Sequence, residues 1–294
     1  MTSEGITRRD FLKGTVAGVA GFALGNAPYV YGTSGASQRS TSVVAIVRSQ
    51  EALTKDMSVN LDVCKEMLRT AVAQALGDKI EPSAAWKKLF KPSDTVGIVT
   101  SKAVNPTHME LVELVKLELM SVGIPNHKIR FIQREIDLVK ECSALIALPA
   151  LKAHWLTGIG TVLKLYIMFS GKPSDYHNEN SAKLGEIWNL DFVKGKTRLV
   201  LIDALRPTCD KGPQVDPRYQ WVYGGIIAST DPVAAEAVGL KIIQAKRDEI
   251  KGEPWPLSPP PICVVAADRE YGLGNSDLKK IRIKKFGWNQ NWLI

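Results

Sequence analysis

Short apolar runs that stop at turn residues alternate with longer segments of helical periodicity from residue 43 to residue 285. This alternation is the strongest constraint on the fold, because strands and helices that take turns along a chain build a layered α/β sheet. Residues 43–47, 95–100, 128–133, 144–148, 198–202, 225–229, 262–266 and 281–285 read as strands, the fifth of them stopping at Asp203. Residues 61–76, 106–122, 161–169, 181–190 and 232–250 read as helices. The pattern predicts a single α/β domain with a mixed, mostly parallel sheet and helices on both faces. No internal repeat is visible, so 37–93 reads as an extension with a strand and a helix, packed as one unit with 94–294.

Ahead of this pattern stands Thr7-Arg8-Arg9-Asp10-Phe11-Leu12-Lys13, then a moderately apolar stretch. A paired arginine with Phe-Leu-Lys before such a stretch reads as a twin-arginine export signal over 1–36. Gly14, Gly18, Gly21 and Gly25 weaken the stretch as a lipid-spanning helix. Pro28 argues against cleavage directly after Ala27, so the mature start falls between 26 and 40. The expectation is a protein carried folded by the twin-arginine machinery to the periplasm or another extracytoplasmic space, touching the membrane only transiently.

The chain has 294 residues and a net charge of +8. Residues 1–36 hold three basic and two acidic side chains, so the remainder keeps +7. There is no dense Lys/Arg stripe with interleaved aromatics, which argues against nucleic acid as a partner. Cys64, Cys142, Cys209 and Cys263 lie more than 50 residues apart, so a cysteine-ligated iron–sulfur cluster is not expected. Cys64 and Cys263 read as core residues, whereas Cys209, in a polar turn, is the candidate reactive thiol.

Four places carry chemistry. In the segment 148–164, Lys152 and His154 are two apart, and an extended chain puts them on one face. Gly158 and Gly160 let backbone amides approach a ligand, and a helix after them would offer free N–H groups beside Lys164. The segment reads as a cradle for a carboxylate or phosphate, or as a glycine-softened turn with surface lysines. The loop Asp175-Tyr176-His177-Asn178 supplies a second imidazole, which with His154 could bind a metal or move protons. Asp203 at a strand end is a candidate metal ligand or base, or a turn former. In 229–239, Asp231 before Pro232 suits a helix cap, and Glu236 among alanines needs a partner or solvent.

Taken in order, Leu148-Pro149-Ala150-Leu151-Lys152-Ala153-His154, Thr157-Gly158, Lys164, Tyr176-His177, Ile202-Asp203-Ala204-Leu205-Arg206, Ser229-Thr230-Asp231-Pro232-Val233-Ala234 and Gly272-Leu273-Gly274 resemble domain of unknown function 362. The similarity runs from about residue 94 to residue 283, and the family includes exported members with twin-arginine signals. The resemblance implies a site at His108, Lys152, His154, Lys164, His177, Asp203, Asp231 and the 272–274 loop, with no settled activity. It is to a divergent member: Leu165 stands where the family has Asn, Glu236 where it has Asp, and Val99-Thr100-Ser101-Lys102 where it has Lys-x-Asn.

Together these readings predict an exported protein with a His/Asp/Lys pocket, acting as a metal-assisted or redox enzyme on a small anionic substrate. His154, His177 and Glu236 are the catalytic candidates. Lys152, Gly158, Gly160, Lys164 and His108 would bind substrate. A divalent metal would take His154, His177, Asp203 and Asp231. The alternatives are a non-catalytic binding protein for a small acid or phosphorylated ligand, and an accessory subunit of an exported complex that uses Trp288 and Trp292.

Overall fold

The computed structural model describes residues 40–102 and 104–294; the export signal read at 1–36 lies outside them. The strands are β1 (Ser42–Arg48), β2 (Val96–Thr100), β3 (Ile129–Ile132), β4 (Ala144–Leu148), β5 (Ala150–His154), β6 (Gly158–Ile159), β7 (Thr197–Thr208), β8 (Gly225–Ser229) and β9 (Ile281–Gly287). They join in the order β3-β2-β4-β7-β8-β1-β9, with β5 beside the far half of β7 and β6 beside β5. Pairings of β2 with β3 and β4, of β7 with β4 and β5, and of β1 with β9 are parallel. Only β8, against both its neighbours, and the β5–β6 pair are antiparallel. The mixed, mostly parallel α/β sheet expected from the alternation is therefore present.

Alternation along each strand sends side chains to two separate cores. Ala45, Ile98, Ile146, Leu199, Leu201 and Ala228 face one side. There they meet α1 (Leu61–Leu76), α2 (Pro82–Leu89) and α3 (Met109–Ser121). Val44, Ile46, Val99, Leu145, Val200, Ile202 and Ile227 face the other. That face carries α4 (Ile136–Glu141), α5 (Leu184–Trp188), α6 (Pro232–Lys251) and α7 (Cys263–Arg269). The extension read at 37–93 is built into the sheet, since β1 lies between β8 and β9. Among the described residues, no helix is long and apolar enough to cross a membrane.

Several boundaries differ from the sequence reading, each for a local reason. Residues 262–266 are not a strand but the start of α7, whose Cys263, Val264, Ala266 and Ala267 are spaced to bury one helical face. The helix expected over 161–169 is 3₁₀ from Leu163 to Ser170 and stops at Gly171 in the left-handed region. The helix expected over 181–190 is confined to α5, after a kinked 3₁₀ segment at Asp175–Ser181. The strand expected to stop at Asp203 runs on to Thr208, because partners for the Asp203 carboxylate remove the usual reason for an aspartate to leave a ladder. The helix α2 and the strands β5 and β6 have no counterpart in the sequence reading.

The carboxyl tail is held chiefly by Arg48, with Tyr223 Oη adding a bond to the Trp292 carbonyl at 3.0 Å. Arg48, buried at the end of β1, donates to the carbonyls of Tyr223 (2.8 Å), Gln290 (2.6 Å) and Asn291 (3.1 Å). Its guanidinium lies 4.0 Å from the Tyr223 ring centre, 4.4 Å from that of Trp288 and 5.2 Å from that of Trp292. A lysine cannot reproduce this planar fork. Arg48→Met should cost about 2–4 kcal/mol, from lost charge-assisted hydrogen bonds and cation–π contacts. It should also open the tail after Gly287 to limited proteolysis, read by mass spectrometry. An unchanged cleavage pattern and unchanged urea midpoint would refute this role.

Candidate functional site

The site starts at a broken strand. Pro149 has no N–H to give the ladder, so β4 and β5 are separate pieces lying along one long β7. The Pro149 carbonyl still accepts from the Asp203 N–H at 2.9 Å. Lys152 and His154, two apart on β5, are both buried. Lys152 Nζ donates to the Asn105 carbonyl at 2.9 Å. Burial pulls its pKa down to about 8 against the opposing charge of Asp203.

Three residues from two of the predicted segments meet here. The His154 and His177 rings stack with centres 6.0 Å apart, tilted by 14°. Lys164, half-buried, lies 2.5 Å from His177 Nε2. Burial lowers the Lys164 pKa to about 8, with Lys152 adding to the effect. Burial also pushes the His154 imidazole down to about 3, helped by Lys164, His177 and Lys152, so it is neutral at physiological pH. Its tautomer is fixed too. The Leu156 N–H donates to His154 Nδ1 at 3.1 Å, so the ring proton sits on Nε2 and points away as a donor. His177 is engaged at Nε2 by Lys164 and bonded to backbone at Pro173.

The glycines serve the chain rather than a ligand. Gly158 has φ +74°, and a methyl there would come within 2.5 Å of the Pro259 carbonyl oxygen. A methyl on Gly160 would come within 2.9 Å of His154 Cβ. The backbone amides after them do form an anion cradle, but its occupant is internal. Glu236, on the second turn of α6 and fully buried, accepts from Val162 N, with further bonds from the Thr161 and Leu163 amides. Its other oxygen, Oε1, has no partner. Desolvation raises its pKa to about 8. Glu236 thus closes the turn that the sequence reading offered to substrate, and it has no exposed surface for catalysis.

His108 and Asp203 form a second group. Asp203 Oδ2 accepts from the His108 N–H at 2.8 Å and from Nδ1 at 2.7 Å, and Oδ1 accepts from Leu205 N at 3.1 Å. Burial would lower the His108 pKa, but the Asp203 hydrogen bond and charge outweigh it and the net direction is upward. Asp203 is therefore an orienting acid for an imidazole.

Asp231 stands apart from both groups. It caps α6, accepting from Val233 N and Ala234 N at 2.9 Å each, while Oδ2 takes Ser42 Oγ and Asn275 N. In the register of β7 with β8, Asp203 faces Ile226, five residues short of Asp231. At 3.3 Å per strand residue that is about 17 Å, beyond any shared metal. Asp231 and Gly272–Gly274 line a separate cavity of about 500 Å³. Among the described residues, no three His, Cys, Asp or Glu side chains converge as a metal-ligand set. Cys209, read as the reactive thiol, is buried and its pKa is pushed up to about 11 by desolvation.

Two positions escaped the sequence reading. The Asn105 carbonyl holds Lys152, and Asn105 takes the left-handed conformation (φ +62°), which asparagine tolerates better than most residues other than glycine. Thr161 Oγ1 accepts from the Lys152 N–H at 3.1 Å, a cross-segment bond with no local signature. Beside His154 opens a cavity of about 120 Å³ lined also by Trp155, Gly158, Asp210, Lys211 and Leu257. Asp210 and Lys211 bring residues of both charges to it, and none of Lys152, Lys164 and His177 lines it.

Fold and site together define an α/β domain with a cluster of lysines and histidines beside a broken central strand. Residues 99–241, which carry every site residue named above except the 272–274 loop, match the family model Domain of unknown function (DUF362). That segment takes in just under half of the chain and agrees with the resemblance read from motif order. No curated protein and no solved structure matches the chain.

Glu236 gives a stability test. Its folded pKa of about 8 lies above the ordinary 4.5, so the unfolded chain ionises first and the fold loses stability as pH rises from 4.5 to 8. Glu236→Gln keeps an acceptor for the amides without that ionisation. Its urea midpoint should gain on the wild type steadily across this window and level off above it. A difference that stays constant with pH would show that Glu236 is already ionised in the fold.

Proposed function

We propose that the chain is an exported protein that binds a small anion, a carboxylate or a phosphorylated compound, at Lys152, His154, Lys164 and His177. The observation that carries this reading is a charge imbalance. Neither lysine pairs with a carboxylate among the described residues; their partners are the Asn105 carbonyl and the His177 ring. Ammonium groups removed from water without a counter-ion are costly, and an incoming anion removes that cost. His154 Nε2–H adds a neutral donor of fixed direction. Export along the twin-arginine route rests on residues 7–13.

A metal-assisted or redox reaction has less support. A metal at His154 Nε2 would need the ring proton moved to Nδ1, where the Leu156 N–H already points, and His177 Nε2 already faces Lys164. The accessory-subunit reading loses its docking face, since Trp288 and Trp292 stack on Arg48 of the same chain.

Sulfate or inorganic phosphate at about a hundred times its Kd should stabilise the protein by about 2.7 kcal/mol, which is roughly 5–10 °C in melting temperature. Lys152→Met and Lys164→Met should each remove most of that gain. The lysine pKa values of about 8 set the pH dependence: both ammonium groups are present below pH 8, so anion binding should weaken as pH climbs through it. Equal stabilisation of wild type and both variants would refute the site.

A further inference from the structure

The three histidines of the pocket region are not chemically alike. His154 receives a backbone N–H on Nδ1, and His177 Nε2 is taken by Lys164. At His108 the arrangement is reversed. Nδ1 carries the proton toward Asp203, so the lone pair lies on Nε2, which no described residue bonds. The His108 side chain is 25% exposed while that of Asp203 is 1% exposed, so the acid is sealed behind the ring and the free nitrogen reaches solvent. A backbone N–H bond alone would tether the start of α3 to Asp203. The second bond, from the ring to the same oxygen, also fixes tautomer and direction, which is how a carboxylate prepares an imidazole to take a proton.

The cation needed to balance such a step is close by. Lys152 Nζ bonds the carbonyl of Asn105, three residues before His108, and the Asp203 charge acts on both side chains. Glu110 and Arg206 are the other charged groups acting on His108.

We propose that His108, oriented by Asp203, is a general base that removes a proton from a carbon next to a carbonyl in the bound anion, with Lys152 facing the enolate that forms. This rests on the anion site proposed above. The C–H bond breaks, its proton goes to Nε2, and its electron pair moves to the carbonyl oxygen as an enolate. Asp203 stabilises the imidazolium. Return of the proton, or of a solvent deuteron, regenerates the carbonyl compound, so no oxidant, reductant or second substrate is required. Asp203 is a positioning residue in this scheme, and His108 is the catalytic one.

The test uses the full chain in D₂O with pyruvate, 2-oxoglutarate and dihydroxyacetone phosphate as probes, following loss of the exchangeable C–H signals by proton NMR. At least one probe should exchange faster than in buffer, and His108→Gln should reduce that rate about a hundredfold or more. His108→Asn serves as a second variant, with a melting curve for each to certify folding. Asp203→Asn should lower the rate and move the acid limb of its pH profile downward, which loss of a mere tether would not do. No acceleration with any probe, in protein that sulfate stabilises, overturns the base and leaves the anion site standing. Exchange that depends on His108 without sulfate stabilisation supports the base and discards the anion site. Exchange indifferent to His108 overturns the inference outright.

Discussion

A carboxyl group cut off from water at Glu236 closes the turn at 161–163, and the placement of the cations around the pocket depends on it. The turn needs an acceptor because its amides have no ladder or helix partner. With Glu236 in place, α6 is bonded to the segment that begins the 3₁₀ run, and Lys164, one residue into that run, projects toward His177. The same turn holds Thr161, whose hydroxyl accepts from the Lys152 N–H. One buried acid therefore sets both lysines, although neither forms an ion pair with it. Its raised pKa follows from the same burial, since three amide donors do not replace the water lost by a carboxylate whose second oxygen has no partner.

The consequence is electrostatic. An ionised Glu236 facing open solvent would have neutralised the pocket, and a ligand anion would have had little to gain. Buried and with its pKa raised, it leaves Lys152, Lys164 and the two imidazoles without an ion pair, and Asp203, whose charge acts on Lys152, is hydrogen-bonded to His108. Burial lowers both lysine pKa values to about 8 and that of His154 to about 3; neighbouring cations add to the shift at Lys164 and His154, whereas Asp203 opposes it at Lys152. An anion between them would reverse all three shifts, and so its binding and its protonation coupling are one effect.

Much of the scaffold was legible because it rests on periodicity. The residues 61–76 give α1 to the residue, and the start of α6 follows from Asp231-Pro232, where the carboxylate caps and the proline takes the first helical position. What misled was local chemistry whose outcome is decided far away in the chain. Asp203 looks like a strand terminator until His108, 95 residues earlier, supplies two donors to it. Gly158 and Gly160 look like a ligand turn, and the amides beyond them are one, but an acid 74 residues later occupies it. Residues 262–266 carry five non-polar side chains in a row, a run too short for period alone to separate strand from helix. At the site, the residue types were legible and their partnerships were not. Lys152, His154, Lys164 and His177 lie close together, whereas Asp231 shares no geometry with them.

Those partnerships decide what each imidazole can do, because a neutral ring offers one proton and one lone pair and the protein fixes which is turned outward. On β5 the Leu156 amide takes the lone pair of His154, leaving a donor suited to hold an anion that stays charged. At the start of α3 Asp203 takes the proton of His108, leaving a lone pair suited to accept one. Lys152 stands between the two because the β5–β7 register shifts after Ala150: Ala150, opposite Asp203, still keeps the register of Ile146 and Ala147 opposite Leu199 and Val200, whereas Lys152 lies opposite Thr208. Without that shift Lys152 would lie opposite Leu205 instead of Thr208. The shifted part of β5 thus carries both His154 and a lysine whose ammonium reaches the Asn105 carbonyl, three residues before His108.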